Sequence, residues 1–593
     1  MKDVIVNIQR NNSPHRHTRD RMDNTRKIII ILFVALAVAQ SFLIFKGGYY
    51  DNTDSGLANF ITPLHQQYTG YAPDFYGGAY TPTATTFPIN LLAGIQEVLF
   101  IAGPVIGAEI FYALVFFLTA ISMYYLLDLL IEASVTNSRY KAGIAVMGAI
   151  LYTFWFFPTY GPSHNLTAAF LPLAILSLLM LAVIKKKGAP LILVTLLTAG
   201  SIGMLLAIGN MAEMIPNLII LGITALMLTA TTKDKKEYIQ ALILVSVLVI
   251  IQLAPMIIAA LQYMPMLSTS LQANNYHADL NSSFIYKHYN EQSIQSALQL
   301  DGNKISSEPL GMYADNALPA LTSQSFIAML AIMSVYFLIG EKDKYKRAIV
   351  MAMQLSLLVF VAFYVVPPIA YSPILLLLAR EAEPIFYYLI FFTMAVLATY
   401  SAYRMEETIK TTNGKIALLM VVGGMLLIHL YYLNIIELQN ATSFQIPSYA
   451  IQTAAYLNAM PQGDYGIAIL PAQSPFGYYT TYYYGTNIYA YMLNESVWTG
   501  GYTAPSGVLL PTQEMLGYAT WAERIGNTTI TNSTEIANGM RAFGIRYIIL
   551  EQDAVSEPNY TQFNMSLLER NLQSAKGLKE IKTFNKTIIY EVS

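Results

Sequence analysis

The sequence predicts an α-helical polytopic membrane protein, with about eleven transmembrane helices and a C-terminal extracytoplasmic α/β domain. Three observations carry that prediction. The 593 residues are 55% hydrophobic and 12% charged, with a mean hydropathy of +0.45, whereas soluble domains carry about 25% charged residues. Apolar runs long enough to cross the hydrocarbon core, about 20 residues each, recur along the first three quarters of the chain. Near residue 434 the composition turns mixed and strand-like.

Taken in order, residues 1–27 form a basic arm, with Lys2, Arg10, Arg16, Arg19, Arg21, Arg26 and Lys27 against Asp3, Asp20 and Asp23. The first apolar run, "IIIILFVALAVAQSFLIF", is followed by "KGGYYD" and lacks a small-x-small cleavage site, so it reads as a retained helix. Membrane spans are expected near 28–45, 107–131, 141–158, 166–184, 190–208, 212–231, 238–260, 321–340, 347–367, 384–403 and 415–433. The run "FPINLLAGIQEVLFI" (87–101) is too short to cross and is expected to lie on the outer membrane surface. The domains are therefore the arm (1–27), a membrane domain (28–433) with outer loops at 46–106 and 261–320, and a tail (434–593). In the tail, "GIAIL" (466–470) and "IRYIIL" (545–550) read as buried strands. The stretch 534–544 reads as a helix stopped by Gly544, and 578–592 as a closing hairpin.

Charge fixes the expected orientation. With the arm inside, alternate loops should be rich in Lys and Arg. They are: Arg139/Lys141, Lys185–Lys187, Lys233/Lys235/Lys236, Lys342/Lys344/Lys346/Arg347 and Arg404/Lys410/Lys415. A plasma-membrane protein with a cytoplasmic N-terminus and an extracytoplasmic tail is the reading. N-glycosylation sequons agree, at Asn165, Asn281, Asn440, Asn494, Asn527, Asn532, Asn559, Asn564 and Asn585, all on the expected outer side; Asn11 alone lies inside. Together with the absence of cysteine, this points to an archaeal glycoprotein.

Several function classes fall away. A net charge of −2 offers no basic face for nucleic acid. Zero cysteines removes disulfides, thiolate metal sites and cysteine nucleophiles together. No Walker A loop, Rossmann glycine fingerprint, HExxH or GxSxG elbow occurs. A transporter needs polar groups in mid-membrane; the candidates are Glu213, Gln252 and His429, none with an acidic partner in sequence.

The polar interest lies on the outer side. The first loop carries Asp51, Asp54, His65 and Asp74 among aromatic and amide residues, then Gly77-Gly78 and the surface helix. A span with "YYLL" follows, and then the turn "WFFPTYGPSHNLTAAFLP". This order, over roughly residues 28–185, resembles the GT-C class of polytopic glycosyltransferases, and within it the YfhO-like and arabinofuranosyltransferase-like members. The tail's "AFGIRYIIL" is similar to a strand of such proteins.

The resemblance implies a donor sugar carried on polyprenyl or dolichyl phosphate, and a glycan, glycolipid or glycoprotein acceptor in the cell envelope. It implies a carboxylate near the membrane surface, to deprotonate the acceptor or hold a divalent metal such as Mg or Mn, and a cation for the departing phosphate. Asp54 and Asp51 answer to the first requirement, as base or metal ligands; Asp54 could equally cap a helix at 55–61. Arg380 answers to the second, or else forms a salt bridge with Glu381 or Glu383. His164 either contacts phosphate or caps its turn, and His65 and Asp74 are substrate-binding candidates or plain loop residues. The first loop has D-x-x-D and no DxD, which sets metal dependence apart from the rest of the resemblance. The tail lacks WWDYG, so protein N-glycan synthesis is not expected. The tyrosine-rich run 476–492 is either a sugar-stacking platform or a packed β-edge. Two rivals remain: a non-catalytic glycan-binding or assembly scaffold, and a transporter of lipid-linked sugar.

Overall fold

The computed structural model describes residues 16–45, 49–50, 71–72, 79–80, 94–95, 98–99, 101–131, 139–156, 162–184, 189–208, 211–273, 317–365, 382–431, 443–444, 446–461, 463, 465–471, 477–478, 484–485, 488–499, 513–555 and 563–593. The chain divides into two compact units. One comprises Met1–Leu43, Ile110–Ala254 and Ala273–Asn440; the other comprises Ile44–Glu109, Pro255–Gln272 and Ala441–Ser593.

Eleven long helices stand where hydropathy puts the spans. They are α1 (Arg16–Phe45), α2 (Pro104–Ile131), α3 (Arg139–Phe156), α4 (Pro162–Val183), α5 (Ala189–Ile208), α6 (Met211–Thr231), α7 (Lys235–Ala273), α8 (Ala317–Ile339), α9 (Lys344–Val365), α10 (Ala382–Thr408) and α11 (Thr412–Leu430). Among the described residues eight are long and apolar enough to cross a membrane, and α3 and α8 contribute shorter apolar stretches. Several boundaries differ from expectation, and α1 already begins at Arg16, inside the expected arm 1–27. Helix α7 runs on to Ala273, so the first part of the expected outer loop 261–320 is helical. The apolar stretch gives out before the helix does, and the backbone keeps its ladder through Ala273. Helix α10 likewise outlasts its apolar stretch, through Arg404–Thr408. Of the expected surface helix 87–101, Gly94, Ile95, Val98, Leu99 and Ile101 are described; the first four are helical and Ile101 lies in a turn, with Ile95, Val98 and Ile101 exposed.

Polar contacts between helices show the up-and-down alternation directly. At one end of the bundle, Arg26 of α1 meets Asp128 of α2 at 3.5 Å. The Thr232 hydroxyl, just past α6, donates to Ala182 O of α4, and Lys344 of α9 donates to Thr231 O. Lys141 of α3 and Glu407 of α10 are 3.1 Å apart, and Lys415 of α11 and Glu406 of α10 are 2.5 Å apart. Each contact joins a helix start to a finish, or a finish to a finish, as strict alternation requires. The described residues of the basic loops therefore gather at this basic end.

Helix α10 is the axis. Its residues from Tyr388 to Tyr403 are buried all round, the signature of a helix enclosed by others, and it packs against α3, α8 and α9. At Gly148 of α3 an added Cβ would overlap the Thr399 side chain of α10, so glycine is what lets these two backbones approach. Threonines 119, 153, 195, 198, 229 and 399 each donate their hydroxyl to the carbonyl four residues back, at 2.7–2.8 Å. They satisfy themselves inside their own helices, as a lipid-embedded bundle demands.

In the second unit, two short ladders come first. Strand β1 (Tyr49–Tyr50) pairs antiparallel with β4 (Ser443–Phe444), and β2 (Tyr71–Ala72) with β3 (Ala79–Tyr80). Helix α12 (Ser448–Asn458) leads to β5 (Gly466–Leu470), the short pair β6 (Gly477–Tyr478) and β7 (Tyr484–Gly485), α13 (Tyr489–Met492) and β8 (Ser496–Thr499). Then come α14 (Gln513–Asn527), α15 (Glu535–Ala542), β9 (Ile545–Glu551), α16 (Met565–Ser574), β10 (Leu578–Phe584) and β11 (Thr587–Val592). One sheet runs β10-β11-β9-β5-β8, with β9, β5 and β8 parallel and β10 and β11 the closing antiparallel hairpin. Every residue of β5 is buried, as befits a strand covered on both faces. Tyr449, Leu457 and Tyr489 fill one face; Tyr518, Ile536, Met540 and Leu568 fill the other. Gly544, at φ +67°, ends α15 ahead of β9 as expected. Tyr489 is fully buried, with its hydroxyl 3.1 Å from Thr587 Oγ1, so this tyrosine belongs to the core and not to a sugar platform. Burial pushes its phenol well above the ordinary tyrosine range, and the nearby Glu551 carboxylate adds to the shift.

Candidate functional site

The end of the bundle opposite the basic end holds neutral polar pairs. Tyr388, two turns into α10, donates its hydroxyl to Asn217 Oδ1 of α6 at 2.8 Å. Asn217 is fully buried. One turn further along α10, Phe391 stacks on His429 of α11 with ring centroids 5.9 Å apart and planes 3° from parallel. His429 Nδ1 lies 3.3 Å from Ser323 Oγ of α8, and both side chains are buried. Helices α6, α8, α10 and α11 are thus joined at this far end by amide, hydroxyl and imidazole groups. His429 is the penultimate residue of α11 and therefore not a mid-span group. Gln252 of α7 is half-buried against Gly203 of α5, where any side chain would displace it; that is a packing role.

Of the expected site residues only His164 falls within a described element. Asp51 and Asp54 follow β1, and Tyr50 is paired with Ser443, so the chain is anchored one residue before Asp51. His164 is the third residue of α4, whose start lies at the far end. Arg380 precedes the first residue of α10 by two. Asp51, Asp54, His65, Asp74 and Arg380 themselves lie outside the described residues, as do Glu381, Asn281, Asn440 and Asn559. Sequence reasoning passed over Asn217 and Tyr388. Tyr388 sits in "IFYYLIFF", where an aromatic reads as core, and nothing in α6 marks Asn217 beyond its being an amide in an apolar run.

The basic end offers a different chemistry. Arg404 reaches Glu407 at 2.9 Å and Glu341 at 3.8 Å, Tyr400 donates to Glu341 at 2.8 Å, and Tyr403 donates to Glu407 at 2.7 Å. Lys141 and Lys346 lie over the Tyr403 ring. Burial pushes the Glu407 carboxyl up. The hydrogen bonds from Tyr403 and Lys141, with the charges of Lys141 and Arg404, outweigh that and hold it below the ordinary glutamate range. Every group here is engaged with another side chain, so the end reads as a clasp. A groove between α3, α8, α10 and α11, lined by Met147, Leu330, Ala402, Met425 and Leu426, has Thr399 as its one polar lining residue. Such a surface suits hydrocarbon and not sugar. Among the described residues no three His, Asp or Glu side chains come together as a metal site.

No family model and no curated protein matches the sequence. Solved structures do. They share the chain's architecture, a polytopic helical body with an α/β tail. The chain aligns with the arabinofuranosyltransferase AftD of mycobacteria at a TM-score of 0.65 and 13% identity, over 95% of its own length and 40% of that chain. A variant of the same protein gives 0.61 at 14% identity, over 94% and 41%. The chain thus spans about two fifths of the protein it matches, and at this identity the likeness is one of fold.

Proposed function

We propose that this chain is a membrane glycosyltransferase that moves a sugar from a lipid-phosphate carrier, polyprenyl or dolichyl phosphate, to a glycan, glycolipid or glycoprotein of the cell envelope. The observation that carries the reading is the fold shared over 95% of the chain with an arabinofuranosyltransferase. Its support is the order of the candidates along the chain: Asp51, Asp54, His65 and Asp74 follow the first span, His164 opens α4, and Arg380 comes just ahead of α10. Asp54 is the base that takes the acceptor proton, or with Asp51 holds a divalent cation, Mg or Mn. Arg380, with His164, steadies the phosphate as the glycosidic bond breaks, and His65 and Asp74 contact sugar. The far end faces outward, because the basic loops gather opposite it.

The test is transfer of sugar from a lipid-phosphate donor by purified, folded protein. Asp54→Asn or Asp51→Asn is expected to lower the rate by about 10²- to 10⁴-fold, and a chelator shows whether a cation takes part. Full activity in both variants removes the assignment. A scaffold would show no transfer with any donor. A transporter would move lipid-linked sugar across vesicles without consuming it.

A further inference from the structure

Five sequon asparagines of the tail lie among the described residues: Asn494, Asn527, Asn532, Asn564 and Asn585. All five are exposed, yet the structure does not treat them alike. The motif carries a hydroxyl at its third position, so an enzyme that reads it must reach that hydroxyl as well as the asparagine amide.

At Asn532 both are presented. The residue lies between α14 and α15, outside regular structure, and Thr534 is exposed. Asn532 Oδ1 accepts the backbone N–H of Thr534 at 3.2 Å and its hydroxyl at 3.0 Å. This Asx turn closes over the sequon itself and occupies the amide oxygen, leaving the –NH2 to face solvent. At Asn564 the arrangement is similar. Extended backbone (φ −107°, ψ 102°) precedes α16, Oδ1 accepts the Leu567 N–H at 3.1 Å, and Ser566 is exposed.

Asn585 is the opposite case. It turns the β10–β11 hairpin at φ +47°. Its hydroxyl partner Thr587 opens β11, paired on one side with Phe584 and on the other with Glu551. The Thr587 side chain is fully buried, and Oγ1 is 3.1 Å from the Tyr489 hydroxyl in the core. Reading that hydroxyl would mean pulling β11 from the sheet.

We propose that the folded tail carries N-linked glycans at Asn532 and Asn564 and none at Asn585. In each transfer the asparagine Nδ2 bonds to the anomeric carbon of an oligosaccharide held on a lipid phosphate or pyrophosphate. The sugar–oxygen bond breaks, the phosphate leaves with the electron pair, and one amide proton passes to a base of the transferring enzyme. That enzyme is a separate oligosaccharyltransferase with its active site on the same side of the membrane as the tail. The proposal stands apart from the chain's own activity and does not depend on it.

Full-length protein isolated from its own cells, digested and sequenced by mass spectrometry, tests this. Expected are glycopeptides containing Asn532 and Asn564 and a bare peptide containing Asn585. Asn532→Gln and Asn564→Gln each remove one glycan from the intact mass. Thr534→Ala empties Asn532, whereas Thr534→Ser retains it. Bare peptides at both Asn532 and Asn564 overturn the proposal, and so does occupancy of Asn585 equal to theirs. Thermal unfolding of each variant beside wild type establishes that an empty site comes from a folded tail.

Discussion

The two ends of the helical bundle are held by opposite means. At the basic end Lys141, Arg404 and Lys415 of three helices converge on Glu341, Glu406 and Glu407, with Tyr400 and Tyr403 donating into the same carboxylates. At the far end the described contacts between α6, α8, α10 and α11 include neutral ones: a tyrosine–amide hydrogen bond and a serine–histidine contact under a stacked phenylalanine. Half-buried ion pairs are costly to break, because the surviving partner is left uncompensated. Neutral hydrogen bonds inside membrane bundles average about 0.6 kcal/mol. Of the contacts described at the two ends, those of the basic end are therefore the costlier to break.

Substitutions can break or sharpen that contrast. The largest loss of stability is expected from Glu407→Ala, which strips a partner from Lys141, Arg404 and Tyr403 together. Glu407 is 33% exposed and solvent screens it in part, so the loss should be about 2–3 kcal/mol. It would be read as a lowered Tm in detergent, with transfer per folded molecule retained. A loss of activity that exceeds the loss of folded protein would mean the clasp does more than hold.

Acid should mimic that substitution. Glu407 titrates below the ordinary glutamate range when folded, so the stability it confers is full above about pH 4.3 and disappears as pH falls through its depressed value. The Tm gap between wild type and Glu407→Gln should be widest at neutral pH and close on acidification. Tyr388→Phe comes next: it removes the hydrogen bond to Asn217 at a cost of about 0.6 kcal/mol. Neutral pH and pH 5 should give the same loss, because neither partner carries charge. The smallest effect belongs to Arg546→Ala in the tail. The Arg546–Glu591 pair at 3.4 Å has side chains 44% and 36% exposed, so the change should stay within about 0.5 kcal/mol by chemical denaturation.

The helices were legible because about 20 apolar residues in a row have one stable fate in a bilayer, and the tail strands because "GIAIL" and "IRYIIL" are too short and too apolar for anything but buried strands. The clasp was only half legible. Lys141 and Lys415 were visible as markers of orientation, but their partners Glu406 and Glu407, in the last turn of α10, count for nothing in a tally of basic residues. The ladder between Tyr49–Tyr50 and Ser443–Phe444 was invisible, since nothing in either dipeptide names a partner nearly 400 residues away. Which sequons are open was equally hidden. Asn532 and Asn585 share one motif, and only the burial of Thr587 separates them.

The enclosed setting of α10 has a consequence for how the protein meets different membranes. Only 17% of the α11 span, 28% of the α7 span and 33% of the α1 span are buried, so these rim helices touch lipid along their length and must tilt when the bilayer thins or thickens. Helix α10, walled in by its neighbours, meets almost no acyl chain and feels such changes only through them. A segment springing from the axis keeps its height while one springing from the rim rises and falls, so lipid composition becomes a dial on the spacing between them.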